Sequence, residues 1–244
     1  MTMKRAIIFG ATGGIGQAIA TNLAKKGWSL YIHFDRNKKT AQKMQKDLQI
    51  EYPKQDFFTL QLSFLAEDIE LKKTIDKLFP VNAVIFAQGI TNYNFLGNQD
   101  LKTIEEIMTV NLTAPIKLTN LLEPTLLKQN YSRVIYLGSV YGQQGSALES
   151  VYSATKGGLT RFAQAYAREV ATSGLTVNVL APGAVQTPMN DIFSMDVLEE
   201  VKEEIPANRL AEPKDISYWV DVLLTPEANY LTGQTIYIDG AWLV

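Results

Sequence analysis

The 244-residue sequence has no cysteine and a single histidine, His33. Missing thiols exclude disulfides, thiolate nucleophiles and thiolate metal ligands together, and one imidazole cannot assemble a histidine-rich metal centre. No metal site is expected. An excess of either charge is lacking too: 23 Lys and Arg stand against 25 Asp and Glu, for a formal net charge of -2. The basic residues are scattered, so no positive field awaits a nucleic-acid backbone. No apolar run approaches the roughly eighteen residues of a membrane span, and the opening MTMKRAIIFG enters an apolar strand without a signal-type segment. The expectation is a cytoplasmic protein with neither nucleic-acid nor membrane partner. Its length suits one deep core and a single domain over residues 1–244.

Short apolar runs at 6–10, 30–34, 57–62, 83–87, 134–137, 177–180 and 235–238 read as seven strands. Each is continuous rather than alternating, as in parallel strands buried on both faces. Helical periodicity occupies 15–26, 38–52, 67–79, 101–128, 151–173 and 214–224, with Gly27 and Gly174 where helices should stop. This β-α alternation predicts a doubly wound α/β fold of the Rossmann type: a parallel seven-stranded sheet between two helical layers. Ligands bind such sheets beyond the strands' carboxyl ends, where strand order reverses. Residues 188–210, which include NDIFSMDVLEEVKEEIP, interrupt the rhythm with loop-plus-helix character and are expected to form a substrate-side flap.

The first strand runs into Gly10-Ala11-Thr12-Gly13-Gly14-Ile15-Gly16, directly before a helix. Glycines there let the backbone approach a pyrophosphate, whose charge is met by free N–H groups and the positive end of the helix dipole. About twenty residues on, the second strand ends in Asp35-Arg36. Asp35 can accept from an adenosine ribose and would repel a 2'-phosphate, whereas the Arg36 guanidinium would pair with one. The neighbours favour NADH and NADPH respectively.

Tyr152 and Lys156 are four residues apart in a predicted helix and so share a face. A phenol titrates near 10, so a proton donor working at neutral pH needs its pKa lowered. A neighbouring ammonium and an oxidised nicotinamide both act in that direction. Gly138-Ser139, at the end of the preceding strand, brings a neutral hydroxyl to the same edge. Ser139 would then hold a substrate carbonyl oxygen and Tyr152 protonate it, with hydride from the nicotinamide completing the reduction. Tyr141, Gln143, Gln144, Leu148 and Met189 are expected around that carbonyl.

Gly10-x-x-x-Gly14-x-Gly16, Asn111 in VNLTAP, Ser139, Tyr152-Ser-Ala-Thr-Lys156, Pro182-Gly183 in NVLAPGAVQTPM, YLTGQT and Ile238-Asp-Gly together resemble the short-chain dehydrogenases/reductases, especially the 3-oxoacyl-[acyl-carrier-protein] reductase-like group. The resemblance implies a tetrad of Asn111, Ser139, Tyr152 and Lys156, in which Asn111 helps hold a relay water and Lys156 binds the nicotinamide ribose. It implies that Pro182, Gly183, Val185 and Thr187 line the nicotinamide pocket. It also implies a homo-oligomer, tetramer or dimer, built on the long helices at 101–128 and 151–173. Three positions depart from the pattern. Phe86-Ala87-Gln88-Gly89 replaces N-N-A-G, Ser63-Phe64 replaces the Asp-Val that touches adenine, and Gly13 stands where NADP-preferring relatives carry a basic residue. With Asp35, Gly13 tilts the resemblance toward NADH.

The function so implied is NAD(P)H-dependent reduction of a carbonyl, at the family level a 3-oxoacyl thioester. Strings within 189–210 are also similar to a Firmicute branch of the family that reduces a ketone on a lysine of elongation factor P, the 5-aminopentanone modification, and this is the second expectation. A serine hydrolase is excluded by the lack of G-x-S-x-G and by His33 preceding the serine. A regulator that binds a dinucleotide without turnover is the remaining alternative.

Overall fold

The structure of the protein, a computed structural model, describes residues 4–188 and 193–242. Seven strands, β1 (Arg5–Phe9), β2 (Ser29–Phe34), β3 (Phe57–Gln61), β4 (Ala83–Phe86), β5 (Ser132–Leu137), β6 (Leu175–Pro182) and β7 (Thr235–Ile238), form one sheet. Their order is β3-β2-β1-β4-β5-β6-β7 and every pairing is parallel. All residues of β2 and β6 are buried, as their unbroken apolar sequences require.

Alternation along the strands feeds two cores. Ile7, Phe9, Val84, Phe86, Val134, Tyr136, Val177 and Val179 face one side. There they meet α3 (Asp68–Ile75), α5 (Ala114–Leu126) and α6 (Ser150–Val170), whose apolar residues recur at helical spacing: Ala114, Leu118, Leu122 and Leu126 on α5, and Leu159, Ala163, Tyr166 and Val170 on α6. Ala6, Ile8, Leu30, Ile32, Ala83, Ile85 and Leu180 face the other side, against α1 (Gly14–Lys25), α2 (Lys38–Glu51) and α8 (Pro213–Leu223). The result is the three-layered, doubly wound Rossmann fold.

Two sequence expectations about helices need correction. The span 101–128 is not one α-helix. It is α4 (Leu101–Met108) and α5 joined by a π-helical stretch, Thr109–Thr113. The wider turn lets Asn111 aim its buried side chain at the loop after β4, where its Oδ1 accepts from Ile90 N (2.9 Å) and its Nδ2 donates to Ile90 O (2.8 Å). The helix expected over 67–79 shortens to α3. Within 188–206, α7 (Met195–Glu204) starts at Ser194, whose Oγ accepts from Val197 N. Met189 lies outside the described residues.

The sheet's two ends are held differently. At the amino end of β5, Arg133 is 1% exposed and its guanidinium donates to four oxygens: Ser132 O (2.9 Å), Gly174 O (3.2 Å), Thr225 O (3.2 Å) and Asn229 Oδ1 (3.3 Å). Toward the carboxyl end, paired residues on adjacent strands stack their rings, Phe9 on Phe86 at 4.9 Å and Phe86 on Tyr136 at 5.0 Å. The Tyr136 hydroxyl ends this ladder on Thr119 Oγ1 at 2.6 Å. Among the described residues no helix is long and apolar enough to cross a membrane, and no group of three or more His, Cys, Asp or Glu could hold a metal ion.

Phe86, 1% exposed and stacked on both sides, cannot be deleted without leaving a void. Phe86→Ala is expected to destabilise the protein by about 3–5 kcal/mol, read as a lower urea midpoint, while Phe86→Leu costs much less.

Candidate active site

Strand order reverses between β1 and β4, and a cleft opens above that point at the carboxyl edge of the sheet. At Gly10 the chain leaves β1 with φ +75°, and a Cβ there would sit 2.6 Å from Gln88 N. At Gly16 a Cβ would sit 2.2 Å from Gly10 O, so the turn closes only with glycine at both positions. The turn delivers Gly13 as the N-cap of α1. No side chain caps this helix and its first turn holds no acidic residue, so its amide donors stay available to an anion. Thr187 packs over Gly14.

Asp35 and Arg36 follow β2 on the surface and pair with each other, Arg36 Nε to Asp35 Oδ2 at 3.3 Å. An exposed pair of this kind contributes about 0–1 kcal/mol and separates readily. Ser63 Oγ accepts from Leu65 N at 3.3 Å. The Phe64 ring is 6% exposed and turned into the core, against Phe9 and His33.

Asn111, Ser139, Tyr152 and Lys156 are brought together from three elements. Asn111 comes from the π-helical stretch and Ser139 from the end of β5. Tyr152 and Lys156 occupy successive turns of α6, which the backbone of Gly142 touches directly: a Cβ on Gly142 would lie 2.9 Å from Lys156 C. Asn111 Nδ2 also reaches Thr155 Oγ1 at 3.3 Å, tying the loop after β4 to α6. The Tyr152 side chain is part-exposed, but its hydroxyl is enclosed and hydrogen-bonded to Ser139. Lys156 Nζ donates to Leu137 O at 2.7 Å and lies 5.4 Å from the centre of the Tyr152 ring.

The electrostatics correct one expectation. The Tyr152 pKa is not lowered in the protein alone but pushed up to about 12, because burial penalises the phenolate. The Ser139 hydrogen bond pulls it down and the Glu149 carboxylate pushes it further up. Burial draws Lys156 down to about 8. Both groups are thus shifted toward their neutral forms.

The cleft has a volume of about 280 Å³. Ile15, Ala87, Gln88, Gly89, Pro182, Gly183, Val185 and Thr187 line it, with Ser139, Tyr141, Tyr152 and Lys156. Gln143 does not: it is exposed on the turn after β5, and Leu148 likewise stays off the wall. Leu148 instead takes φ +66°, a strained conformation that turns the chain just before Glu149. Sequence reasoning missed Glu149, Thr91, Tyr93 and, on the flap, Phe193, Leu198 and Val201. Trp242 was missed as well; its indole donates to Glu204 Oε2 at 3.3 Å and ties the last described residues to α7. Only Glu149 carried a signal, being one helical turn before Tyr152.

A family model described as short chain dehydrogenase matches residues 4–197. The chain belongs to the short-chain dehydrogenase family. This short-chain dehydrogenase is 32% identical over 244 residues to a Bacillus subtilis (strain 168) protein named uncharacterized oxidoreductase YmfI, with 98% of each chain covered. It is 29% identical over 240 residues to a Staphylococcus aureus (strain N315) protein named 3-oxoacyl-[acyl-carrier-protein] reductase FabG, with 97% of each covered. The crystal structure of a dehydrogenase/reductase from Sinorhizobium meliloti 1021 superposes with a TM-score of 0.91 at 25% identity, covering 100% of this chain and 96% of that one.

Members of this family bind NAD(P)(H), and the residues present fit such a group. The turn has no room for a Cβ at Gly10 or Gly16, the donors of α1 are uncapped, and Gln88 Oε1 is buried in the cleft wall without a hydrogen-bond partner.

Lys156 titrates below its unfolded value of 10.5, so the folded state holds that proton less tightly. Its contribution to stability is full above 10.5 and is lost as pH falls through about 8. Lys156→Met, which has no charge to bury, is therefore expected to become more stable relative to wild type as pH is lowered across that window. Denaturant midpoints at the two ends of the window measure the difference.

Proposed function

We propose that this chain reduces a ketone to a secondary alcohol with NAD(P)H, and that its substrate is a 3-oxoacyl thioester. The observation that carries the reading is the hydrogen-bonded Tyr152–Ser139 pair on the wall of a cleft that begins at an uncapped helix N-terminus. A reduced nicotinamide, when bound, supplies the hydride. Ser139 Oγ and the Tyr152 hydroxyl hold the carbonyl oxygen, and Tyr152 gives that oxygen its proton. Ground-state burial keeps this proton on the phenol until charge develops on the oxygen beside it. Lys156, anchored to Leu137 O, holds the nicotinamide ribose, and Asn111 fixes the loop carrying Gly89 beside Lys156. NADH is the preferred cofactor: the Asp35 carboxylate would repel an adenosine 2'-phosphate brought to the end of β2. The 3-oxoacyl thioester reading is supported by the relatives that bear that name.

With acetoacetyl-CoA as substrate, oxidation of NADH faster than NADPH is the expected result. Tyr152→Phe should lower turnover by about 10²- to 10⁴-fold with cofactor affinity retained, and undiminished turnover in that variant would remove Tyr152 as the acid.

A second reading is favoured by Glu149. Its Oε1 accepts from Thr91 Oγ1 at 2.7 Å, it lines the cleft with Tyr152, and among the described residues no cation pairs with it. Asp196, Glu200 and Glu203 add exposed carboxylates on α7. Coenzyme A and phosphopantetheine bring phosphates to this mouth, whereas a ketone on a basic side chain of a protein, such as the 5-aminopentanone of elongation factor P, brings positive charge. Glu149→Gln separates the two. If the substrate is cationic, kcat/KM for it falls about three- to tenfold, the size of a Coulomb interaction of about 1 kcal/mol. A neutral or anionic ketone gains or is unaffected.

A further inference from the structure

We propose that His33 is a positioning residue for the dinucleotide: its imidazole joins the glycine turn after β1 to the loop after β3, and so sets cofactor affinity without touching the reacting atoms. This rests on reading the glycine turn as the dinucleotide site.

His33 is 3% exposed near the end of β2, the strand between β1 and β3. Main-chain pairing between β1 and β2 ends at Ile8 with Ile32, because Gly10 turns away from the sheet. The imidazole takes over where that ladder stops. Its Nδ1 accepts from Gly10 N at 3.0 Å, which leaves Nε2 as the protonated nitrogen, donating to Leu62 O at 2.9 Å. One ring thus ties together the carboxyl ends of three strands, at the roots of the loops that carry Gly13, Asp35 and Ser63. The ring is itself fixed by Phe64, stacked at 5.0 Å, and Phe9, edge-on at 5.2 Å.

The tautomer is enforced chemically. Burial holds the His33 pKa down to about 4, with the Leu62 carbonyl and the Asp35 carboxylate opposing it, so the ring stays neutral and the Nδ1 lone pair remains available to Gly10. A neutral imidazole satisfies one donor and one acceptor on a line that no aliphatic side chain can reproduce. Holding Gly10 holds Gly13, whose N–H bonds Gly10 O at 3.1 Å and whose own carbonyl receives Gln17 N at 2.9 Å. The direction of the uncapped amides of α1 therefore follows from the imidazole at the end of the neighbouring strand.

The test is cofactor affinity, with kcat at saturating cofactor measured alongside. Fluorescence titration of the intact protein with NADH and NADPH first checks the underlying reading: no binding by wild type would remove the dinucleotide site itself. Given wild-type binding, His33→Phe keeps the ring and loses both hydrogen bonds, and is expected to raise Kd at least tenfold with kcat within twofold. His33→Asn, which restores a short acceptor for Gly10, is expected to recover most of the affinity. Wild-type affinity in His33→Phe would overturn the proposal, as would equal proportional losses of Kd and kcat. If His33→Phe does not fold, His33→Asn and His33→Gln decide: only the shorter amide reaches as Nδ1 does, and equal affinities in the two would overturn it.

Discussion

The reversal of strand order at β1 is the constraint from which the site follows. Parallel strands need right-handed crossovers, and here the chain builds outward from β1 in one direction through β2 and β3, then returns to build in the other through β4 to β7. Connections leaving β1 and β4 therefore diverge to opposite faces, and no helix can cover the gap between them. Backbone passes close to backbone there, Gly10 against Gln88 across the gap and Gly16 against Gly10 O within the turn, so neither tolerates a Cβ. It is also why the first amides of α1 are presented to the crevice rather than buried.

Above that crevice the four polar side chains form a group whose one charge at neutral pH is the Lys156 ammonium. Tyr152 is driven up and Lys156 down, each by the same loss of water, and the Ser139 hydroxyl and Asn111 amide are neutral. Such a group responds strongly to whatever charge enters, because the enclosed medium screens poorly. Beside it stands Glu149, whose carboxylate raises the Tyr152 pKa and is held at its place by Thr91 and by the strained backbone of Leu148.

The fold was legible because burial on both faces writes each strand as an unbroken apolar run, and all seven lie within two residues of where those runs place them. The helix at 101–128 was not, since a π-helical stretch changes hydrogen bonding without changing the apolar pattern, and Asn111 owes its position to that change. Site residues that belong to local motifs, the glycine turn and the Tyr152–Lys156 pair, were readable from spacing, and the family resemblance added Asn111. Gln143 was misplaced because adjacency in sequence does not say which way a side chain turns after a strand end. Trp242 reaches the cleft from far along the chain, and His33 works through main-chain atoms of Gly10 and Leu62. Neither partner set leaves a mark in the sequence.

At the opposite edge of the sheet, Arg133 is a cation surrounded by carbonyl dipoles and an amide oxygen, with no carboxylate among its partners in the described residues. A staple of this composition contains nothing acidic to protonate, so it does not loosen in acid as an ion pair does. Heat acts on it differently as well. Hydration of a charged group becomes less favourable as temperature rises, so the penalty for keeping the guanidinium dry shrinks on warming while its four oxygens stay in place. The base of the sheet is held by a contact whose relative strength grows with temperature.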